Sequence, residues 1–310
     1  MNKFLKQFFL FMLYATVVYM VLLILWGEFM PGMFKKNLNY SLGAYGHMYT
    51  RIREAEKVKN IDILFIGSSH AYRGFDTRIA KEYGFESFNL GSSSQTPVQT
   101  KLLLEKYLDS LHPKMIVYEV YPYTFTNDGV ESSLDIIANG RIDYKVLGMA
   151  VSLNNIKTYN SLVYGYYRVL FNRNKNFKEN SVISNDTYIP GGFVEKKMAY
   201  NKHTVENEIK KTEWVPINYQ NIAFEEIVKL LKERGIKLVL VQSPVTKAEY
   251  EMYNNNDKID IYFTGRGTYY NFNKTLVLSD TADFYNSDHL NQNGVRIFNK
   301  ALFSILLKNK

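Results

Sequence analysis

Ile61-Asp62-Ile63-Leu64-Phe65-Ile66-Gly67-Ser68-Ser69-His70 is the stretch that decides the fold. Its short apolar run reads as a buried strand, and Gly67 with the two serines reads as the turn that ends it. Downstream the chain alternates. A helix is expected over 76–83, stopped by Gly84, and a second strand over 85–90. Residues 96–111 carry Leu102, Leu103, Leu104, Tyr107 and Leu111 on one broad helical face, with Pro113 beyond. A third strand follows at 115–120, a helix at 222–234 with Gly235 past its end, and a fourth strand at 237–241. The pattern closes with a fifth strand at 275–278 and a helix over about 293–307. Strands alternating with helices predict an α/β fold: a three-layer α/β/α sandwich around a mostly parallel five-stranded sheet.

Upstream, residues 8–26 read FFLFMLYATVVYMVLLILW without a charge. At 1.5 Å per residue such a helix is roughly 28 Å long, about the thickness of a bilayer core. Lys3 and Lys6 precede it, which keeps the N-terminus in the cytoplasm and places the rest outside. No A-x-A-like cleavage site follows, so an uncleaved anchor over 1–30 is expected. Pro31 and Gly32 open a connector, 31–60, whose polar, helix-capable end at 48–60 leads into the folded domain expected over 61–310. Residues 124–220 interrupt the alternation. They are aromatic, and no period-two strand stands out, so an inserted helical region or lid is expected there.

Composition narrows the function. The 310 residues carry a formal charge of +8, with the basic residues spread along the chain. No Lys/Arg block of the kind that tracks nucleic acid is present, whereas an anionic envelope or membrane face suits a dispersed positive charge. The chain has no cysteine, which excludes disulfides, Cys-ligated zinc and a cysteine nucleophile. Neither a metal nor a cofactor is expected.

A serine at the carboxyl end of the first strand lies where open α/β sheets bind ligands. Its hydroxyl needs an adjacent base, and its turn offers backbone N–H groups to an oxyanion. His289, in Asn286-Ser287-Asp288-His289-Leu290-Asn291 ahead of the last helix, is the base candidate. Three blocks then fall in order. Gly67-Ser68-Ser69-His70 resembles the Gly-Asp-Ser-Leu block of SGNH/GDSL hydrolases, with Ser69 at the nucleophile position. Phe88-Asn89-Leu90-Gly91 is similar to their second block, and Gly91 matches its oxyanion glycine. Phe284-Tyr285-Asn286-Ser287-Asp288-His289 looks like their final Asp-x-x-His block. The resemblance covers 61–120 and 222–307, omits the insert, and implies a flavodoxin-like sheet with Ser69 and Gly91 N–H groups as oxyanion donors.

Two departures stand out. Asn286 occupies the place of the family's aspartate, while Asp288 sits beside the histidine. Adjacent side chains project differently, so Asn286 is expected to orient His289 and Asp288 to face solvent or a helix cap. No Gly-x-Asn-Asp block ends the third strand, which reads Tyr118-Glu119-Val120-Tyr121-Pro122; Asn127-Asp128 comes further on, and the third oxyanion donor is unassigned. Glu119 reads either as a strand-end residue or as a group partnering His70 or substrate. His70, Glu119 and Tyr121 are accordingly candidates for substrate binding.

An anchor joined to an SGNH-like body resembles the proteins of envelope O-acylation, among them those of polysaccharide O-acetylation and teichoic-acid D-alanine transfer. The resemblance implies a Ser69 acyl-enzyme that O-acylates a cell-surface polysaccharide or teichoic acid. It also implies a multi-pass membrane-bound O-acyltransferase as partner, and a place on the outer face of a bacterial cytoplasmic membrane. A plain esterase or deacetylase would use the same residues. A silent scaffold subunit is the reading from another class, favoured by Asn286.

Overall fold

The computed structural model describes residues 2–199 and 211–308. In chain order its elements begin with α1 (Asn2–Phe29), a 3-10 turn (Gly32–Phe34), α2 (Met48–Ala55) and β1 (Ile63–Ile66). Next come α3 (Ser69–Gly74), α4 (Thr77–Glu82), β2 (Ser87–Asn89), α5 (Pro97–Leu111) and β3 (Met115–Glu119). The insert holds α6 (Pro122–Thr126), α7 (Val130–Asn139), α8 (Tyr144–Leu153), α9 (Ile156–Leu170), β4 (Val182–Ile183), β5 (Asp186–Ile189) and β6 (Phe193–Lys196). The remainder is α10 (Asn218–Glu233), β7 (Lys237–Gln242), α11 (Lys247–Tyr250), α12 (Asn256–Thr264), β8 (Thr268–Asn271), α13 (Phe272–Thr275) and α14 (Gln292–Lys308).

Two compact units emerge. One comprises residues 1–42 with 133–178, the other 43–132 with 179–310. In the second, five parallel strands run in the order β2-β1-β3-β7-β8. Both faces are covered. Phe65, Val117 and Val239 pack with Phe75, just past α3, and with Phe298 and Leu302 of α14. On the opposite face Tyr118 meets Phe224 of α10. Alternate residues of each strand serve the two faces, which is why the three central strands β1, β3 and β7 carry apolar runs.

The fifth strand differs from expectation. It is Thr268–Asn271, and Thr275 instead closes the short helix α13. Val277, at the centre of the expected strand, is 96% exposed. Tyr269 and Tyr270 supply the strand preference, which three flanking asparagines or glycines obscured. The insert also differs, because it contains an antiparallel sheet, β4-β5-β6. Pro190-Gly191-Gly192 turns β5 into β6, with both glycines at positive φ, +95° and +90°. That hairpin belongs to the body: Gly191 O accepts the Asn89 N–H at 2.7 Å, and Arg73 of α3 pairs with Asp186 through both carboxylate oxygens. Residues 200–210 of the insert lie outside the described residues.

The connector is divided as well. Met48, Ile52 and Ala55 of α2 are buried in the body, so the helix-capable end of the connector, 48–60, packs as part of the domain. Arg51, fully buried, donates to the carbonyls of Gly46 (2.7 Å), Gly91 (3.0 Å) and Gly192 (3.0 Å).

The first unit is built on α1, a described helix long and apolar enough to cross a membrane, near the N-terminus as a signal sequence would also be. Its last turns pack on α9. Gly27 lies flat under Tyr164, where a Cβ would meet the ring at 2.3 Å. Glu28 accepts from the Tyr164 hydroxyl (2.9 Å) and pairs with Arg168 (3.4 Å).

Gly67 positions the site. Its φ is +140°, and a Cβ there would lie 2.7 Å from the Glu119 carbonyl and 2.8 Å from its Cβ. Gly67→Ala is therefore expected to lower unfolding stability by about 2–4 kcal/mol, combining strain at a glycine-only conformation with overpacking. Urea unfolding checks this; a loss within about 0.5 kcal/mol, the range of a neutral surface substitution, would contradict the steric account.

Candidate active site

The carboxyl end of β1 runs into Gly67, Ser68 and then α3, whose first residue is Ser69. Ser68 caps that helix, its Oγ accepting the His70 N–H at 3.2 Å. Among the described residues the Ser69 N–H donates to no partner, as expected for the first residue of a helix. The last loop returns to the same rim. Phe284 bridges Leu290, Tyr285 N–H donates to His289 O (3.1 Å), and Asn291 N–H donates to Asp283 O (2.9 Å). Ser287 O in turn accepts from both the N–H and the hydroxyl of Thr246, just past β7.

The result is a linear array. His289 Nε2 lies 2.8 Å from Ser69 Oγ, and His289 Nδ1 lies 2.7 Å from Asp288 Oδ1. A carboxylate can only accept, so Nδ1 carries the proton and Nε2 is left to accept from the Ser69 hydroxyl. The imidazole is held between two rings, His70 at 4.7 Å and 25° and Tyr285 at 5.4 Å and 14°. Burial opposes ionisation of Asp288, but the charge and hydrogen bond of His289, with His70 behind, hold its carboxyl well below the usual range.

This corrects the expectation for the orienting group. Asn286 does not touch the ring; its Oδ1 accepts the backbone N–H of His289 at 2.8 Å. That local turn bends the chain so that the neighbouring Asp288 side chain can fold onto the imidazole. Asp288 is further held through its own carbonyl, which accepts from His70 Nε2 at 2.5 Å.

Gly91 is a second correction. Its N–H, expected at the oxyanion, donates to Asn89 Oδ1 at 3.1 Å. The glycine instead permits close approach, since a Cβ would lie 3.0 Å from the carbonyls of Gly67 and Ser68. Of the two expected donors only the Ser69 N–H is free.

His70 and Glu119 are 4% and 1% exposed, behind the serine and out of reach of a substrate. Glu119 Oε2 accepts from the Ser68 N–H (3.0 Å) and Oγ (2.8 Å), and Ser68 Oγ lies 3.2 Å from His70 Nδ1. Burial pushes the Glu119 carboxyl up, against the pull of His70 and Ser68. Burial likewise pushes His70 down, helped by His289 and opposed by Glu119 and Asp288. Both directions oppose a charged Glu119–His70 pair in this buried position. Ser68 was not singled out in the sequence; its place between a buried glutamate and a histidine shows only in three dimensions.

Tyr121 is partly exposed, set edge-on to His70 at 4.2 Å, with its hydroxyl donating to Glu249 at 2.6 Å. Tyr118 and Phe125 belong to the core, whereas Tyr123 is 45% exposed. His70, Asp288 and His289 each bring one potential metal-ligand atom within 4.8 Å of the others. Those groups already bond to one another and to Ser69, so a cation would have to displace the Ser69–His289 bond.

No family model matches the chain, and no curated protein matches it. Among solved structures it is similar to a GDSL-like lipase from Bacteroides thetaiotaomicron, at 12% identity and TM-score 0.43 over 86% of this chain and 99% of that one. It is also similar to a candidate acylhydrolase from Bacteroides fragilis, at 12% identity and TM-score 0.40 over 85% of this chain and 97% of that one. At this level of likeness nothing about the chemistry of the present site follows from them.

Proposed function

We propose that the protein is a membrane-anchored, extracytoplasmic serine acyl-transfer enzyme of SGNH type. The observation that carries this reading is the Ser69–His289–Asp288 array, at 2.8 Å and 2.7 Å. Ser69 Oγ attacks the carbonyl carbon of an acyl donor while its proton passes to His289 Nε2. The tetrahedral oxyanion faces the Ser69 N–H. Collapse expels the leaving alkoxide, which takes the proton from His289 and leaves an acyl-Ser69 ester. An acceptor hydroxyl then gives its proton to His289 and attacks that ester, regenerating Ser69. Asp288 stabilises the imidazolium in both halves, and His70 positions Asp288.

The anchor supports action at the envelope. Glu28 and Gly27 are built into the packing of α9, so removal of α1 as a signal would strip partners from Tyr164 and Arg168. Lys3 and Lys6 favour an inside N-terminus. The resemblance to O-acylation proteins then suggests a bacterial cytoplasmic membrane, a multi-pass O-acyltransferase as donor partner, and a cell-surface polysaccharide or teichoic acid as acceptor. Hydrolysis is the second reading. A carboxylate on His289 Nδ1 favours it, since such a triad activates water as well as a sugar hydroxyl. The scaffold reading rested on Asn286, which is spent elsewhere.

Covalent trapping tests the proposal. A fluorophosphonate is expected to modify the full-length protein once, at Ser69, as located by peptide mass spectrometry. A folded protein that takes no adduct, or takes it on another residue, would sink the serine mechanism. Release of acetyl from an acetyl-Ser69 intermediate to a polysaccharide, measured against release to water, separates transfer from hydrolysis.

A further inference from the structure

Tyr19 of α1 donates to Asn160 Oδ1 at 2.7 Å, and Asn160 Nδ2 donates to Asn37 O at 2.9 Å. These bonds fix the first turn of α9 and the 33–38 loop to a definite height on α1. Counting from Lys6, a bilayer core of about 30 Å at 1.5 Å per residue ends near Trp26. Tyr19 lies about 10 Å inside that boundary, at the depth of outer-leaflet acyl chains. Asn160 is 4% exposed and its amide is paired on both sides, as a polar group in hydrocarbon must be. Elsewhere in this unit Tyr144, Leu147 and Val151 form one exposed apolar face of α8, and Ile156 opens α9 at 52% exposure beside the exposed Lys157.

A cavity of about 510 Å³ opens at this level between α1, the 33–38 loop and α9. Leu22, Leu23, Trp26, Met33, Phe34 and Ile156 line it, and Lys36 is the one cation among the described residues at it. Among the described residues Lys36 has no ion-pair partner. Residues 133–178 carry seven Lys or Arg against two Asp or Glu, which attracts an anionic surface.

We propose that this cavity binds one acyl chain of an outer-leaflet anionic phospholipid, with the headgroup phosphate on Lys36. The inference rests on the membrane-anchored part of the proposed function and is independent of its chemistry. Depth selects hydrocarbon as the occupant, and the unpaired ammonium beside an apolar hollow selects a lipid with a negative headgroup.

Full-length protein reconstituted in nanodiscs of phosphatidylglycerol and phosphatidylcholine, then released for native mass spectrometry, tests it. The wild type is expected to keep one phosphatidylglycerol. Leu22→Trp, an exposed position whose larger side chain fills the hollow, is expected to keep none. Lys36→Glu is expected to lower retention about fivefold or more and to remove the headgroup preference. Retention of no lipid by the wild type, or of equal lipid by all three proteins, would overturn the proposal. So would a photo-reactive residue at position 22 that captures a membrane protein in place of lipid. Alkaline carbonate extraction separates the two levels: wild-type protein released to the supernatant would refute the anchor itself, whereas protein retained without bound lipid would refute only the cavity's assignment.

Discussion

Turnover of an activated acetyl ester by Asp288→Asn protein is expected to fall about 10³–10⁴-fold, with little change in KM or thermal stability. The loss has two physical sources. The carboxylate on His289 Nδ1 fixes the tautomer that leaves Nε2 free to take the Ser69 proton. Its charge also stabilises the imidazolium that forms when that proton moves. An amide supplies no charge and can present its N–H₂ to Nδ1, which drives the imidazole proton to the wrong nitrogen. Asn286→Asp is the matched control. A carboxylate oxygen there still caps the His289 N–H, so turnover should stay within about threefold. The opposite pattern, with Asn286→Asp strongly altering turnover and Asp288→Asn inert, would return the orienting role to position 286.

Ser69→Ala is expected to lower turnover further, by about 10⁴–10⁶-fold, and to add little when combined with His289→Ala. The non-additivity is the diagnostic part: once the nucleophile is gone, the base has no proton to take. Ser69 is partly exposed at a helix start and makes its side-chain bond to His289, so the substitution leaves the fold intact. Ester turnover in the purified protein and envelope acylation in cells are both to be measured. Full acylation in cells by Ser69→Ala protein would exclude an acyl-Ser69 intermediate and favour a non-catalytic subunit.

Much of the frame could be read from the chain because buried parallel strands leave an unmistakable pattern. Ile63–Ile66, Met115–Glu119 and Lys237–Gln242 each hold at least four consecutive apolar or aromatic residues, and each proved to be a strand. The edge strand Thr268–Asn271 escaped because half-buried tyrosines among asparagines carry no such run. The hairpin of β5 and β6 has a weaker signature, with Asp186-Thr187-Tyr188-Ile189 and Phe193-Val194-Glu195-Lys196 flanking Pro190-Gly191-Gly192.

At the site, order along the chain was enough to bring Ser69 and His289 to one rim. It was not enough to decide which neighbour would orient the ring. That depended on a turn closed by Asn286 and on the grip of His70 on the Asp288 carbonyl, and neither has a spacing signature. Gly91 misled in a similar way. A glycine in the matching block need not point its N–H at an oxyanion when the asparagine two residues before it accepts that N–H.

Arg51 sets where the body can be cut. Its guanidinium joins the carbonyls of Gly46, Gly91 and Gly192, tying α2 to the loop after β2 and to the tip of the hairpin. A soluble fragment begun at Ile61, where the sheet starts, would discard that side chain together with Met48 and Ile52. It would leave two buried carbonyls beside the active-site turn without a donor, a defect of about 1–3 kcal/mol each. A fragment begun at Gly43 would keep all three ties. Limited proteolysis of the intact protein should accordingly spare the chain between Gly46 and Ile61, although that stretch precedes the first strand of the sheet.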